Sequence, residues 1–185
     1  MKKIILGSSS PRRKELLKLI TENFEIRVSD AEEKTEPGLS PEQTVCALAE
    51  LKADSIFSGD KNEIIITADT VVAVDGKILG KPADHNDAFD MLSSLSGRKH
   101  SVYTGVCISD GDRKKIFSVC SDVYFYELSE QDILDYIATG ECDDKAGAYG
   151  IQGKGALLVE KIHGDYFNIV GLPVSLLAKE LKAFI

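Results

Sequence analysis

No stretch of this chain approaches the roughly eighteen apolar residues that a membrane-spanning helix requires. Its N-terminus carries two lysines but only the short apolar run Ile4-Ile5-Leu6 before Gly7, which does not read as a signal peptide. Basic residues are in the minority: 22 Lys and Arg against 30 Asp and Glu leave a net charge of −8. A duplex nucleic-acid binder needs a basic face, so the balance argues against that class, whereas it leaves room for a local basic pocket for a small phosphate ligand. Cysteines are few and show no C-x-x-C spacing, so Cys46, Cys107, Cys120 and Cys142 read as reduced thiols of a cytosolic protein. The three histidines, His85, His100 and His163, are scattered, and none stands at ligand spacing from a cysteine, which argues against a zinc site. The phosphate-binding pattern G-x-x-x-x-G-K-[ST] is absent, so a P-loop ATPase is not the model. Internal repeats, linkers and low-complexity segments are also absent, and residues 1–185 read as one domain.

What is present is globular in balance, with 43% hydrophobic and 28% charged residues over 185 positions, enough for one large domain or one domain in two lobes. The first twenty residues organise the chain. Ile4-Ile5-Leu6 reads as a strand, Gly7 to Ser10 as a tight turn, and Pro11 to Ile20 as a helix. Ser10 is a good N-cap, and Pro11 stands at the first helical position, where its missing N–H is harmless. Such a helix start presents free N–H groups and partial positive charge. Arg12 and Arg13 oppose the dipole there, an arrangement that makes sense beside a polyanion. The alternative is a capped surface helix with two solvated arginines.

Phe24 to Val28 alternates like a half-buried strand, and Ser29 to Leu39 is an acidic loop. One or two of its carboxylates, among Asp30, Glu32, Glu33 and Glu36, are candidates for holding a hard cation; otherwise the loop is simply solvated. Ser40-Pro41-Glu42-Gln43 is a capping box that opens a helix reaching about Phe57. Ile64 to Val74 is a nearly unbroken β-branched run, the pattern of a strand buried on both faces. Asp69 interrupts it. A buried carboxylate is costly unless paired, hydrogen-bonded or metal-bound, which makes Asp69 a candidate functional acid or a structural hydrogen-bond acceptor. Asp75-Gly76 is a hairpin turn before Lys77-Ile78-Leu79, and Lys81 sits in the constrained Gly80-Lys81-Pro82 loop. Asp84 caps a helix that stops at Gly97. His100 to Ile108 and Ile116 to Tyr126 are antiparallel strands joined at Asp110-Gly111. Ser129 caps a helix ended by Gly140. Glu141 to Gly155 is rich in glycine and mixed charge, as a loop in close contact with a ligand would be, or else a flexible surface connection. Ala156 to Ile162 reads as a strand, and a last amphipathic helix follows Gly171-Leu172-Pro173 and ends near Phe184.

Six separated blocks, in register from Ile4 to the last helix, resemble the Maf proteins: Ser8-x-Ser10-Pro11-Arg12-Arg13, Ala68-Asp69-Thr70-Val71-Val72, Gly80-Lys81-Pro82, Tyr103-Thr104-Gly105-Val106, Asp144 to Gly153, and Gly171-Leu172-Pro173. These are nucleoside triphosphate pyrophosphatases related in fold to the inosine triphosphate pyrophosphatases. The resemblance implies an α/β fold in two lobes around an elongated mixed sheet, with the active cleft between the lobes. It also implies a divalent cation (Mg²⁺ or Mn²⁺), a cytoplasmic location and a homodimer. One branch of the family acts on dTTP and UTP; another acts on 7-methyl-GTP and typically has tryptophan where this chain has Arg12, with differences at Thr70 and Gln152. This chain is similar to the first branch.

On that footing Asp69 is the catalytic acid–base residue, and Glu33 with Asp69 supplies the metal ligands. Arg12, Arg13, Lys52 and Lys81 surround the triphosphate, Ser8 and Ser10 add donors, and Arg12, Thr70 and Gln152 lie near the base. The expected reaction yields a monophosphate and pyrophosphate from dTTP or UTP, with modified pyrimidine nucleotides as a further class and a house-cleaning role linked to cell-division arrest. Two other readings stand beside it. A non-catalytic nucleotide-binding regulator of cell division would not need both Glu33 and Asp69. A purine-type enzyme acting on ITP is disfavoured by the Ser-Pro-Arg-Arg and Lys-Ala-Gly-Ala-Tyr-Gly-Ile-Gln-Gly blocks.

Overall fold

The computed structural model describes residues 2–34 and 37–185, so Glu36, one of the four loop carboxylates, lies outside the described residues. One mixed sheet carries seven strands: β1 (Lys3–Leu6), β2 (Phe24–Ile26), β3 (Glu63–Val74), β4 (Lys77–Leu79), β5 (Lys99–Ser109), β6 (Lys114–Phe125) and β7 (Val159–His163). Their order is β2-β1-β3-β5-β6-β7, with β4 also paired to β3. β1 runs parallel to β2 and β3, and the remaining pairings are antiparallel. The helices are α1 (Pro11–Lys18), α2 (Pro41–Ile56), α3 (His85–Leu95), α4 (Glu130–Ile137), α5 (Tyr166–Val170) and α6 (Val174–Leu181). Among the described residues no helix is long and apolar enough to cross a membrane.

The helix starts follow their caps. Ser10 Oγ accepts from Arg13 N, Ser40 and Gln43 close a reciprocal capping box, and Asp84 and Ser129 accept from Asp87 N and Asp132 N. The β-branched run of β3 is buried on both faces, as its composition requires. Ile64 and Ile66 join a large core with Ile4, Leu6, Leu92, Val106 and Leu177, while Ile65 joins a smaller one with Ile5, Ala49, Ala53, Ile56 and Cys107, under α2. Two glycines permit α2 to lie directly on the sheet. A Cβ at Gly105 would stand 2.4 Å from the Val45 carbonyl, and one at Gly7 would stand 2.6 Å from Ile56 Cδ1.

Three expectations need correction. The strand expected over 24–28 stops at Ile26: it is the sheet's outer strand, its residues are mostly exposed, and Val28 is exposed beyond it. The strand expected from Ala156 begins at Val159, because residues 153–158 coil into 3₁₀ turns that leave Leu157 exposed. The short α5, capped by Asp165, precedes the Gly171 turn where no element was expected. In each case tertiary pairing decides a segment too short for its periodicity to be read.

Candidate active site

The site is a gap in the sheet. β1 pairs with β3 only as far as Leu6 opposite Ile66, and β4 takes up the same edge of β3 only from Val72. Between them, Thr67 to Val71 have β5 on one side and, among the described residues, no strand on the other. The chain leaving β1 turns away at Gly7 into Ser8, Ser9 and Ser10, and α1 starts beside the gap. A cleft of about 990 Å³ opens there. Every residue assigned to the site from sequence lines it: Ser8, Arg12, Arg13, Glu33, Lys52, Asp69, Thr70, Lys81 and Gln152, together with Ser10.

Strand alternation sends neighbouring residues to opposite faces of the sheet. Asp69 shares the α2 face with Ile65 and Thr67, whose Oγ1 donates to Ala49 O on that helix. Lys52, also on α2, places Nζ 2.5 Å from Asp69 Oδ1 and 3.0 Å from Glu33 Oε1. The Asp69 and Lys52 side chains are each only 12% exposed, so this ion pair is substantially withdrawn from solvent. Lys52 was expected among the cations around a triphosphate; in the structure its ammonium is engaged by both carboxylates. Two carboxylate oxygens that converge on one ammonium are hard donors at a common point. That donor set fits a small divalent cation of the Mg²⁺ or Mn²⁺ kind.

Thr70 faces the other way, toward Arg13 and α5. Arg13 Nε donates to Gly171 O (2.8 Å), Nη2 to Thr70 Oγ1 (3.0 Å) and Nη1 to Ser8 Oγ (3.4 Å). Thr70 Oγ1 lies 2.9 Å from Thr104 Oγ1, and Thr104 donates its single proton to Asn168 O (2.9 Å). A hydroxyl has one proton, so Thr70 must donate to Thr104 and accept from Arg13. Thr70 therefore holds Arg13 with its own proton committed to Thr104, and it lines the cleft, where it was expected to lie near the substrate. Burial draws the Arg13 guanidinium below the ordinary arginine range, and the Asp69 charge opposes that. Among the described residues, two of the five Arg13 guanidinium N–H groups have no partner within the protein. Gly171 and Thr104 were quoted in the sequence blocks, Thr104 without an assigned role, but Asn168 was not singled out. Thr104 had a weak signal as a hydroxyl within a buried strand; Asn168 had none, because α5 was not anticipated.

The far wall is the glycine-rich loop. Gly147 N donates to Gly80 O (2.9 Å), and Gly147 adopts φ +68 against Val72, where a side chain would clash. Gly150 N donates to Tyr136 Oη, and Gly150 O would lie 2.0 Å from a Cβ at Gly155, so the turn is closed by backbone contact. Tyr149 is buried, and its hydroxyl meets His100 Nε2 at 2.7 Å. Burial pushes the His100 imidazole down to about 4, so it is neutral at neutral pH. These ties hold the loop to the sheet without using Gln152. Among the described residues, the Arg12, Lys81 and Gln152 side chains make no hydrogen bond or ion pair within the protein, although all three line the cleft. An opening with carboxylates on its sheet side and unengaged cations and an amide around it is suited to a phosphorylated ligand with a polar ring.

The curated dTTP/UTP pyrophosphatase of Bacillus velezensis is 52% identical over 183 residues, which is 99% of this chain and 97% of the relative. That of Bacillus cytotoxicus is 50% identical over 184 residues, 100% of this chain and 96% of the relative. Among solved structures, the Staphylococcus aureus Ham1 protein aligns with TM-score 0.57 at 15% identity, covering 98% of this chain and 99% of its own. A Coxiella burnetii HAM1 protein aligns with TM-score 0.52 at 16% identity, covering 99% and 100%. At those identities the two structures speak to the fold alone, and they bear out the α/β fold relationship expected from the sequence. Residues 3–184 match the description Maf-like protein, and with a gap in its mixed sheet edged by the blocks quoted above, this chain belongs to that family.

Proposed function

We propose that this protein hydrolyses nucleoside triphosphates to the monophosphate and pyrophosphate, with dTTP and UTP as preferred substrates. The observation that carries the reading is the cleft itself: Asp69 and Glu33 converge at its sheet side, while Arg12, Lys81 and Gln152 line it unengaged. The names of the curated relatives support the same substrates.

Attack is at the α-phosphorus. The water oxygen forms a bond to phosphorus, the bond to the bridging oxygen breaks, and its electrons leave with pyrophosphate. Asp69 accepts the proton of the water. Arg12, Arg13 and Lys81 bind the phosphate oxygens and offset their charge, which is greatest on the departing group. Lys52 holds the Asp69 and Glu33 carboxylates apposed. A divalent cation bound by Glu33 and Asp69 would supply further charge neutralisation at the phosphates. Gln152 reads the base. Uracil and thymine offer adjacent carbonyl and N3–H groups, and a glutamine amide matches both at once. Cytosine lacks N3–H and carries an amino group in place of one carbonyl, so it leaves mismatched partners.

The test is release of pyrophosphate from a panel of triphosphates. Hydrolysis of dTTP and UTP at comparable kcat/KM, with CTP and purine triphosphates poor, is expected. Equal use of CTP and UTP would defeat the base-reading scheme, and no pyrophosphate from any triphosphate would defeat the enzyme reading. Homodimerisation and cytoplasmic location belong to the same proposal, and sedimentation of the purified chain tests the first.

A further inference from the structure

Away from the Glu33–Asp69 pair, three side chains of metal-ligand type converge on one point. His85 is the first residue of α3, while Cys142 and Asp143 lie in the turn after α4, and the two helices pack together. His85 Nε2 is 3.4 Å from Asp143 Oδ1. Cys142 Sγ is 3.3 Å from the same oxygen. All three ligand atoms lie within 4.8 Å of one another. A tetrahedral zinc ion with bonds of about 2.3 Å to sulfur and about 2.0–2.1 Å to nitrogen and oxygen separates its ligands by roughly 3.3–3.6 Å. Two edges of the triangle already have that length.

We infer that His85, Cys142 and Asp143 form a binding site for a borderline-soft divalent cation of the zinc type, distinct from the hard-cation site in the cleft. An imidazole and a thiolate select zinc or cobalt over magnesium, whereas the Glu33–Asp69 oxygens select the reverse. Cys142 is fully buried, while the His85 and Asp143 side chains are 66% and 60% exposed, so ligand exchange at a fourth position has access from solvent. The exposed contact of His85 with Asp143 forms one edge of the triangle, and the buried Cys142 thiol, donating to the same oxygen, forms another. Linear spacing hid the site, because His85 and Cys142 are far apart in the chain and only the packing of α3 beside α4 joins them. Asp144 and Lys145, which follow directly, line the cleft. A cation here would tie α3 to the base of the loop that carries Gln152. The inference does not depend on the nucleotide reaction.

The experiment titrates the full-length reduced protein with Co²⁺ in excess Mg²⁺, following thiolate-to-cobalt charge-transfer absorption. Cobalt held by oxygen ligands alone gives no such band, so the cleft is silent. One equivalent per chain is expected, displaced by Zn²⁺. The band should be absent in Cys142→Ser, and the affinity should fall at least about tenfold in His85→Ala, an exposed position whose change leaves the fold intact. Absence of a thiolate band in the wild type overturns the inference. So does a band that survives Cys142→Ser, which would assign it to Cys46 or Cys120, and so does an unchanged affinity in His85→Ala.

Discussion

Arg13 Nη2 donates to Thr70 Oγ1 at 3.0 Å, and the Thr70 proton is committed to Thr104, which in turn is committed to the Asn168 carbonyl. The orientation of a cation in the cleft is thus set by a chain of hydroxyls that ends on the backbone of α5. Thr104→Val keeps the shape of that chain and removes its middle. Thr70 then loses its acceptor, and Arg13 loses a fixed partner. A hydrogen bond involving a charged group is worth about 1.5–3 kcal/mol, so KM for the triphosphate should rise about tenfold or more, with a smaller change in kcat. Thr104→Ser restores the hydroxyl and should restore KM. Steady-state kinetics of both variants decide the matter: equal KM in Thr104→Val and wild type would show that the chain does not position Arg13.

Asp69→Asn should lower kcat by ~10²-fold or more while leaving the fold intact, since an amide is a poor base and a weak metal ligand. Circular dichroism and kcat are measured together. A folded variant with near wild-type kcat would reduce Asp69 to the structural partner of Lys52.

Removal of divalent cations with EDTA should abolish turnover, and Mg²⁺ or Mn²⁺ should restore it. Glu33→Gln should raise the metal concentration needed for half-maximal rate, because one of two hard donors loses its charge. Full activity in chelator removes the cation from the scheme. An unchanged metal requirement in Glu33→Gln shifts the second ligand to another residue of the acidic loop.

Gln152→Glu keeps the size of the side chain and replaces its amide donor with a carboxylate oxygen. The ratio of kcat/KM for UTP over CTP should shrink, since the UTP carbonyl loses its donor. An unaltered ranking across the triphosphate panel would exclude Gln152 as the reader.

His100 predicts a pH effect on stability. Its folded value is pushed from 6.5 down to about 4 by burial. Between those limits the unfolded chain takes up a proton that the folded chain does not, so stability falls as pH falls through this window. Chemical denaturation of wild type between about pH 6.5 and pH 5, above the main carboxylate range, should show this slope, and His100→Asn should flatten it whatever its absolute stability. A slope that persists unchanged in the variant would show that His100 is not its source.

How much of this was legible beforehand differs from residue to residue. Ser10, Ser40, Asp84 and Ser129 announced their helices because a cap is a local contract between a side chain and an N–H three positions on. The β-branched run around Asp69 announced a two-faced buried strand because strand composition reflects burial. The blocks shared with the Maf proteins contain Ser8, Arg12, Arg13, Asp69, Thr70, Lys81 and Gln152, all of which line the cleft, while Glu33 and Lys52 lie outside those blocks. Their convergence was not legible. It depends on where β1 stops and β4 begins along β3, and register is set by packing over the whole sheet. Nor could the sequence show that Thr70 faces Arg13 while Asp69 faces Lys52, or that Asn168 closes the hydroxyl chain from a helix too short to leave a periodic signal. Local chemistry determined the elements and the cast of side chains. Which side chains were already engaged, and which were left free for a ligand, was decided only when distant segments met and each donor found, or failed to find, its acceptor.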